Sequence, residues 1–226
     1  MNRGKATLNR SRGCIELLNR AEGALNFLLM TITLRDATAA DAPFIAQCVL
    51  AAMSLYEFGQ VLDAEGQCRL DALAALCDTP GTLYHWSRTR VAEVDGQVAG
   101  VLVSYDGATY LGCRTLTFGL LAERTGYAIH PETEETVPGE YYLDSMAILP
   151  AYRTYGIGHL LMRDAIALGR RQGFTRFTLL VDADHPRVHA YYAALGFTDQ
   201  RPLRVFGTDF IKMELVKKEE NQEFEE

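Results

Sequence analysis

Residues 143–161 read Leu-Asp-Ser-Met-Ala-Ile-Leu-Pro-Ala-Tyr-Arg-Thr-Tyr-Gly-Ile-Gly-His-Leu-Leu, and no other stretch limits the fold as tightly. The run from Tyr141 to Leu149 reads as a buried strand, and Pro150, which has no N–H to give a ladder, stops it. From Tyr155 to Gln172 the apolar residues Ile157, Leu160, Leu161, Ala165 and Leu168 recur at helical spacing. A strand therefore passes through a short turn into a helix, and the turn carries Arg153, Gly156 and Gly158 in the spacing R-x-x-G-x-G. Phe174–Val181 is strand-like again, so this part of the chain predicts one parallel crossover.

The remaining elements place that crossover in a mixed α/β sheet. Thr31–Arg35 alternates as a strand does, and Thr38-Ala39-Ala40-Asp41 is a helix-start signature ahead of an apolar helix running to about Leu55. A second helix is expected from Arg69 to about Cys77, ended by Asp78-Thr79-Pro80-Gly81. Asp95-Gly96 between Arg90–Val94 and Val98–Val103 is a hairpin signal, because both residues tolerate the left-handed turn that joins twisted strands. Tyr110 to about Arg124 reads as a helix and the acidic stretch Pro131–Gly139 as a loop; Pro186–Leu195 reads as a short helix before two last strands, Phe197–Val205 and Thr208–Val216.

Bulk properties exclude several classes. The 226 residues are 48% hydrophobic and 23% charged, ordinary for a domain with a core, and the formal net charge of −7 argues against a nucleic-acid binder. Part of that charge is local: Lys217–Glu226 reads as a solvated acidic tail. The five cysteines are scattered with no metal-ligand spacing, which points away from a metal site and toward a reducing, cytoplasmic setting. No apolar run is long enough to span a membrane. Residues 1–29 are rich in Arg and Asn and only mildly amphipathic. The compact domain is expected over 30–216, with 1–29 as an extension and 217–226 as a disordered tail.

The glycine turn has two readings. Two glycines serve any tight strand-to-helix turn; equally, uncapped N–H groups at a helix start, with no Cβ in the way, cradle a pyrophosphate. The spacing is neither G-x-G-x-x-G nor a P-loop, since no Gly-Lys-Ser/Thr follows. One strand further on stands Tyr192-Ala193-Ala194-Leu195-Gly196-Phe197, which has the form Y-x-x-x-G-F. In this order and spacing the two blocks resemble the GNAT (GCN5-related) N-acetyltransferase family, and the likeness extends more weakly from Thr31 to Val216.

The resemblance implies a GNAT fold, a mostly antiparallel sheet with splayed parallel strands and flanking helices, and acetyl-CoA as co-substrate. It implies that Arg153, Thr154, Tyr155, Gly156, Ile157, Gly158 and His159 hold the pyrophosphate, and that Met146, Ala147 and Ile148 run beside the pantetheine arm. Tyr192 falls where the family protonates the departing thiolate. Asp144 falls where many members carry a base, with Glu140 as the second candidate; Asp144 read plainly is a strand-end carboxylate, and Tyr192 a packed aromatic. Two positions depart from the pattern: Thr154-Tyr155 stands where Gly-Lys is common, and His185 where an asparagine usually meets pantetheine. The acceptor cleft is expected from Leu55–Gly59, Tyr84-His85-Trp86 and residues 107–139, with Tyr56, Glu57, Tyr84, Trp86 and Tyr110 as an aromatic, acidic pocket.

The expected activity is direct acetyl transfer to the primary amine of a small metabolite, which needs no covalent nucleophile. A protein N-terminus or lysine is the alternative acceptor, and a non-catalytic CoA-binding module is the alternative of another class. Family members are often dimers, which leaves a homodimer open, though no segment of this sequence marks an interface.

Overall fold

The computed structural model describes residues 30–126, 128 and 133–216, so the expectations for 1–29, 131–132 and 217–226 lie outside the described residues. One seven-stranded sheet organises them: β1 (Ile32–Asp36), β2 (Thr89–Val94), β3 (Gln97–Asp106), β4 (Tyr141–Ile148), β5 (Arg176–Asp182), β6 (Thr198–Val205) and β7 (Thr208–Val216), in the order β1-β2-β3-β4-β5-β7-β6. Five neighbouring pairs are antiparallel, and β4–β5 is the parallel one. Asp95 and Gly96 both take positive φ, 50° and 77°, as the β2–β3 hairpin requires.

Helices cover both faces. On one lie α1 (Ala42–Ala52), α2 (Ala64–Cys77) and α3 (Tyr110–Thr125), burying Ile45, Val49, Leu76 and Tyr110 against Val101, Val103 and Tyr142. On the other α4 (Ile157–Arg171) buries Ile157, Leu161, Met162 and Ala165 against Leu102, Leu143, Phe177 and Leu179, and α5 (Pro186–Ala194) adds Tyr192 at the margin. Two boundaries differ from the sequence reading. α1 stops at Ala52, and α2 starts at Ala64, where the Asp63 carboxylate accepts from the Gly66 N–H at 2.7 Å; an aspartate cap ahead of a glycine is a weak signal in sequence.

The parallel pair is joined at one end only. Tyr141 pairs with Phe177 and Tyr142 with Thr178, and no further pair follows, so β4 and β5 part from Leu143 onward. The joined end is clamped by α4: a Cβ on Gly169 would stand 2.6 Å from Phe177 Cε1 and 2.8 Å from Tyr141 Cγ, so only glycine lets the helix sit this close. Gly169→Ala is expected to cost about 1–3 kcal/mol through overpacking. A thermal melt would read this as a fall of about 2–4 °C per kcal/mol, whereas an unchanged melt would mean that α4 slides freely. A bulge adds to the divergence. Val103 pairs with Ser145 and Ser104 with Leu143, which leaves Asp144 as the extra residue of β4.

Candidate active site

At the open end of the splay stands the glycine turn. A 3-10 turn, Pro150–Tyr152, leads to Gly156, whose φ of +73° puts it in the left-handed region and makes it the N-cap of α4. No side chain caps this helix and its first turn holds no acidic residue, so its leading N–H groups and dipole face outward without a protein anion. Nothing lies within 4 Å of where a Gly156 Cβ would be. The turn is braced on β4 by Arg153, whose Nε donates to the Ile148 carbonyl at 3.1 Å. Thr154 and His159 are exposed, Tyr155 is half-buried, and Ile157 is the residue of the turn that enters the core.

Met146 and Ile148 pack toward α4 and Ala147 toward the opposite face, on the stretch of β4 that has lost β5 as a neighbour. Beside Met146 come the two tyrosines of α5. The Tyr191 hydroxyl is buried without a hydrogen-bond partner, 3.4 Å from where a Gly158 Cβ would stand, with the Met146 methyl at 3.6 Å from the same point. Tyr192 packs its ring on Phe197, with centroids 6.0 Å apart, and burial, followed by the nearness of Tyr191, pushes its phenol above the usual range. His185, at the start of α5, turns its Nδ1 to the Asp182 carboxylate at 3.2 Å.

On the other side of the splay, β4 and β5 wall a cavity of about 200 Å³ lined by Tyr142, Asp144 and Ser145 from β4 and Leu180 from β5. Asp144 accepts hydrogen bonds from the Tyr105 hydroxyl and from Ser145 Oγ, the latter at 2.8 Å. Burial and then the charge of Glu135 raise its carboxyl from the ordinary 3.8 to about 7, against the pull of those two hydroxyls. Glu135 lines the same cavity and accepts from Tyr142 (2.7 Å) and Tyr110 (2.9 Å); burial outweighs both bonds and raises its carboxyl too. The Arg114 guanidinium is turned onto the Tyr110 ring, 5.3 Å from its centroid.

Glu140 has a different setting. Its Oε2 takes the Lys212 ammonium at 2.6 Å, with both side chains 4% exposed, and accepts from Thr136 at 2.9 Å and Thr178 at 3.2 Å. Burial alone would raise this carboxyl, but Lys212 and Thr136 outweigh it and hold it below the usual range. It does not line the cavity of Asp144.

Of the three segments expected to wall the acceptor cleft, each sends one residue into this cavity: Leu55, Tyr84 and Glu135. Four of the five residues first expected there are used differently. Tyr56 and Glu57 lie beside Arg153 in a separate depression, Trp86 stacks on His85, and Tyr110 holds Glu135 from behind. Sequence reasoning missed Glu135, Phe206 and Phe210. Glu135 is one acid among several in an acidic loop, and Phe206 and Phe210 sit in and after the β6–β7 turn, where spacing alone does not bring them beneath β4.

A sheet that divides between two parallel strands, with an uncapped helix start at the opening, defines the acyl-CoA N-acyltransferase class of fold. The family model for the acetyltransferase (GNAT) family matches residues 55–197, more than half of the sequence. The chain belongs to the GNAT acetyltransferase family. Among solved structures it is similar to an acetyltransferase at 27% identity and a TM-score of 0.65, with 81% of this chain and 98% of that one covered. It is similar in fold to an N-acetyltransferase from Staphylococcus aureus Mu50 at 21% identity and a TM-score of 0.67, covering 81% and 100%. A third, yncA from Salmonella typhimurium, solved with its cofactor acetyl-CoA, aligns at 20% identity and a TM-score of 0.50, covering 84% and 96%. No curated protein matches the chain by sequence. No described helix is long and apolar enough to cross a membrane, and the described residues hold no cluster of metal-ligating side chains.

Proposed function

We propose that this protein transfers an acetyl group from acetyl-CoA directly to the primary amine of a small molecule. One observation carries the reading: the parallel strands part between an uncapped glycine turn on one face and a carboxylate of raised proton affinity in a cavity on the other. Arg153 to His159 would hold the pyrophosphate, and Met146, Ala147 and Ile148 the pantetheine arm, with His185 at the far wall; an outward-facing, uncapped helix start suits an anion. Acetyl-CoA supplies a thioester carbonyl for an amine nitrogen to attack, with the thiol leaving. Asp144 accepts the amine proton, a task for which a carboxyl near 7 is well placed. Glu140 receives no proton-transfer role, because its ion pair with Lys212 occupies it. A cavity of about 200 Å³ favours a small acceptor over an extended peptide. The described cysteines are unpaired thiols, in keeping with a cytoplasmic setting.

Tyr192 is assigned as the acid that protonates the leaving thiolate. The buried, unpartnered Tyr191 hydroxyl beside Met146 and Gly158 favours a second reading in which Tyr191 takes that part. Tyr192→Phe and Tyr191→Phe separate the two. The acid should lose about 10²-fold or more in kcat, and its neighbour should stay within a few-fold; equal, small losses would remove both from proton transfer.

Thermal stability with acetyl-CoA, beside NADH and ATP controls, tests the cofactor reading. At 100 times its dissociation constant acetyl-CoA should add about 2.7 kcal/mol, or roughly 5–11 °C for a chain of this size. The absence of a selective shift would sink the reading. A selective shift without thiol release on any amine would leave a CoA-binding module in its place.

A further inference from the structure

We propose that the acceptor is a primary amine on a single-ring apolar body with no carboxylate of its own, its nitrogen between Asp144 and Glu135 and its body in the apolar cavity beyond Tyr84. The inference rests on the reading of Asp144 as the acceptor-side base. Among the described residues, the lining of the cavity at Asp144 carries two charged side chains, Glu135 and Asp144, both acidic. It shares Met53, Leu55, Tyr84 and Phe206 with a second cavity of about 370 Å³, which continues between α1, α2 and α3 along Val49, Leu73, Phe118 and Leu121. Among the described residues, the one cation on that second wall, Arg69, is drawn to Glu65 at 2.6 Å.

Chemistry then selects the ligand. An ammonium entering between two carboxylates relieves the repulsion by which Glu135 helps to raise Asp144. An acceptor carboxylate would add a third negative charge at the same place. Beyond Tyr84 the wall offers almost no polar partner, so a polyamine or a peptide would bury N–H groups unpaired, at a cost of several kcal/mol in an apolar site. An apolar body gains from the same wall. Size agrees: a cavity of about 150 Å³ lined by aliphatic and aromatic side chains suffices for benzene, and this one exceeds that. Phe118 and Phe206, edge to face at 5.6 Å, present ring surface to a ring.

The test is thiol release from acetyl-CoA by the full chain with 2-phenylethylamine, phenylalanine, spermidine and a lysine-containing peptide. The expected result is a kcat/KM for 2-phenylethylamine at least about 100-fold above the other three, of the order that two unfavourable charge or hydrogen-bond terms supply. Leu121→Trp should fill the cavity and raise KM for 2-phenylethylamine at least tenfold; Phe118→Ala, in case the larger side chain is not accepted, should shift preference toward a two-ring amine. Glu135→Gln should narrow the gap between 2-phenylethylamine and phenylalanine. Preference for phenylalanine, spermidine or the peptide, or selectivity unmoved by both cavity variants, overturns the inference while acetylation itself stands. Loss of acetyl-CoA binding in the unmodified protein would overturn the proposed function and this inference together.

Discussion

Asp144→Asn should lower kcat by about 10²- to 10⁴-fold and, in the same protein, raise the melting temperature measured above pH 7. The two effects share one cause. The folded state holds this carboxyl at about 7, well above its ordinary 3.8, because the group is buried and Glu135 is near. Between those values the folded chain keeps a proton that the unfolded chain releases, so the group opposes folding increasingly as pH rises from about 4 to about 7, and fully above. A carboxyl displaced from 3.8 to about 7 costs up to about 4 kcal/mol at alkaline pH. Asparagine removes that cost and still offers an oxygen to Tyr105. The melting-temperature difference should therefore be largest near pH 8 and vanish below about pH 4. With Asp144 as the proposed base, activity of the unmodified enzyme should climb through about pH 7 to a plateau, and the variant's residual rate should lack that climb. A variant with unchanged kcat would leave Asp144 as a strand-bulge carboxylate with no part in proton transfer.

Glu140→Ala should cost about 3–5 kcal/mol, the range for removing one partner of a buried ion pair. Lys212, 4% exposed at its side chain, would lose the carboxylate it is bonded to, and Thr136, Thr178 and the Val137 N–H would lose their acceptor. These contacts tie the loop after α3 to β5 and β7 at the end where β4 and β5 are joined, one turn from Glu135. Denaturant unfolding would show the loss. Where the variant remains folded, at low temperature, its kcat should stay close to that of the unmodified enzyme; a collapse of kcat with stability intact would make Glu140 the proton acceptor instead. Replacing Glu140 and Lys212 together by leucine and methionine should recover most of the lost stability, because two apolar groups leave no charge stranded.

The elements of this fold were legible because each rests on local rules. The strand ending at Pro150, the hairpin at Asp95-Gly96 and the apolar spacing of α4 are consequences of backbone sterics and of which face must be buried. The glycine turn was legible for the same reason, since a left-handed residue at a helix start calls for glycine wherever it occurs. α2 was read five residues short at its start because Asp63 and Gly66 cap a helix through a contact that composition does not announce.

Asp144 and Glu140 show where reading stops. In sequence they are two carboxylates at the two ends of one strand entrance, and either serves as a base. The fold separates them: a bulge against Ser104 turns Asp144 into a cavity with Glu135, while Glu140 meets a lysine 72 residues further along the chain. Proton affinity depends on dielectric and on neighbouring charge, and both are set by residues distant in sequence. The sequence by itself determined the order of elements, the glycine turn and the family to which they belong, because those depend on residues within one element. Only the tertiary structure decided which carboxylate is paired with a cation and which is raised by burial, which tyrosine hydroxyl is left without a partner, and that Phe206 and Glu135 line one cavity. These follow from how far β4 parts from β5 and what packs into the gap, a matter of contacts between elements that no local pattern encodes.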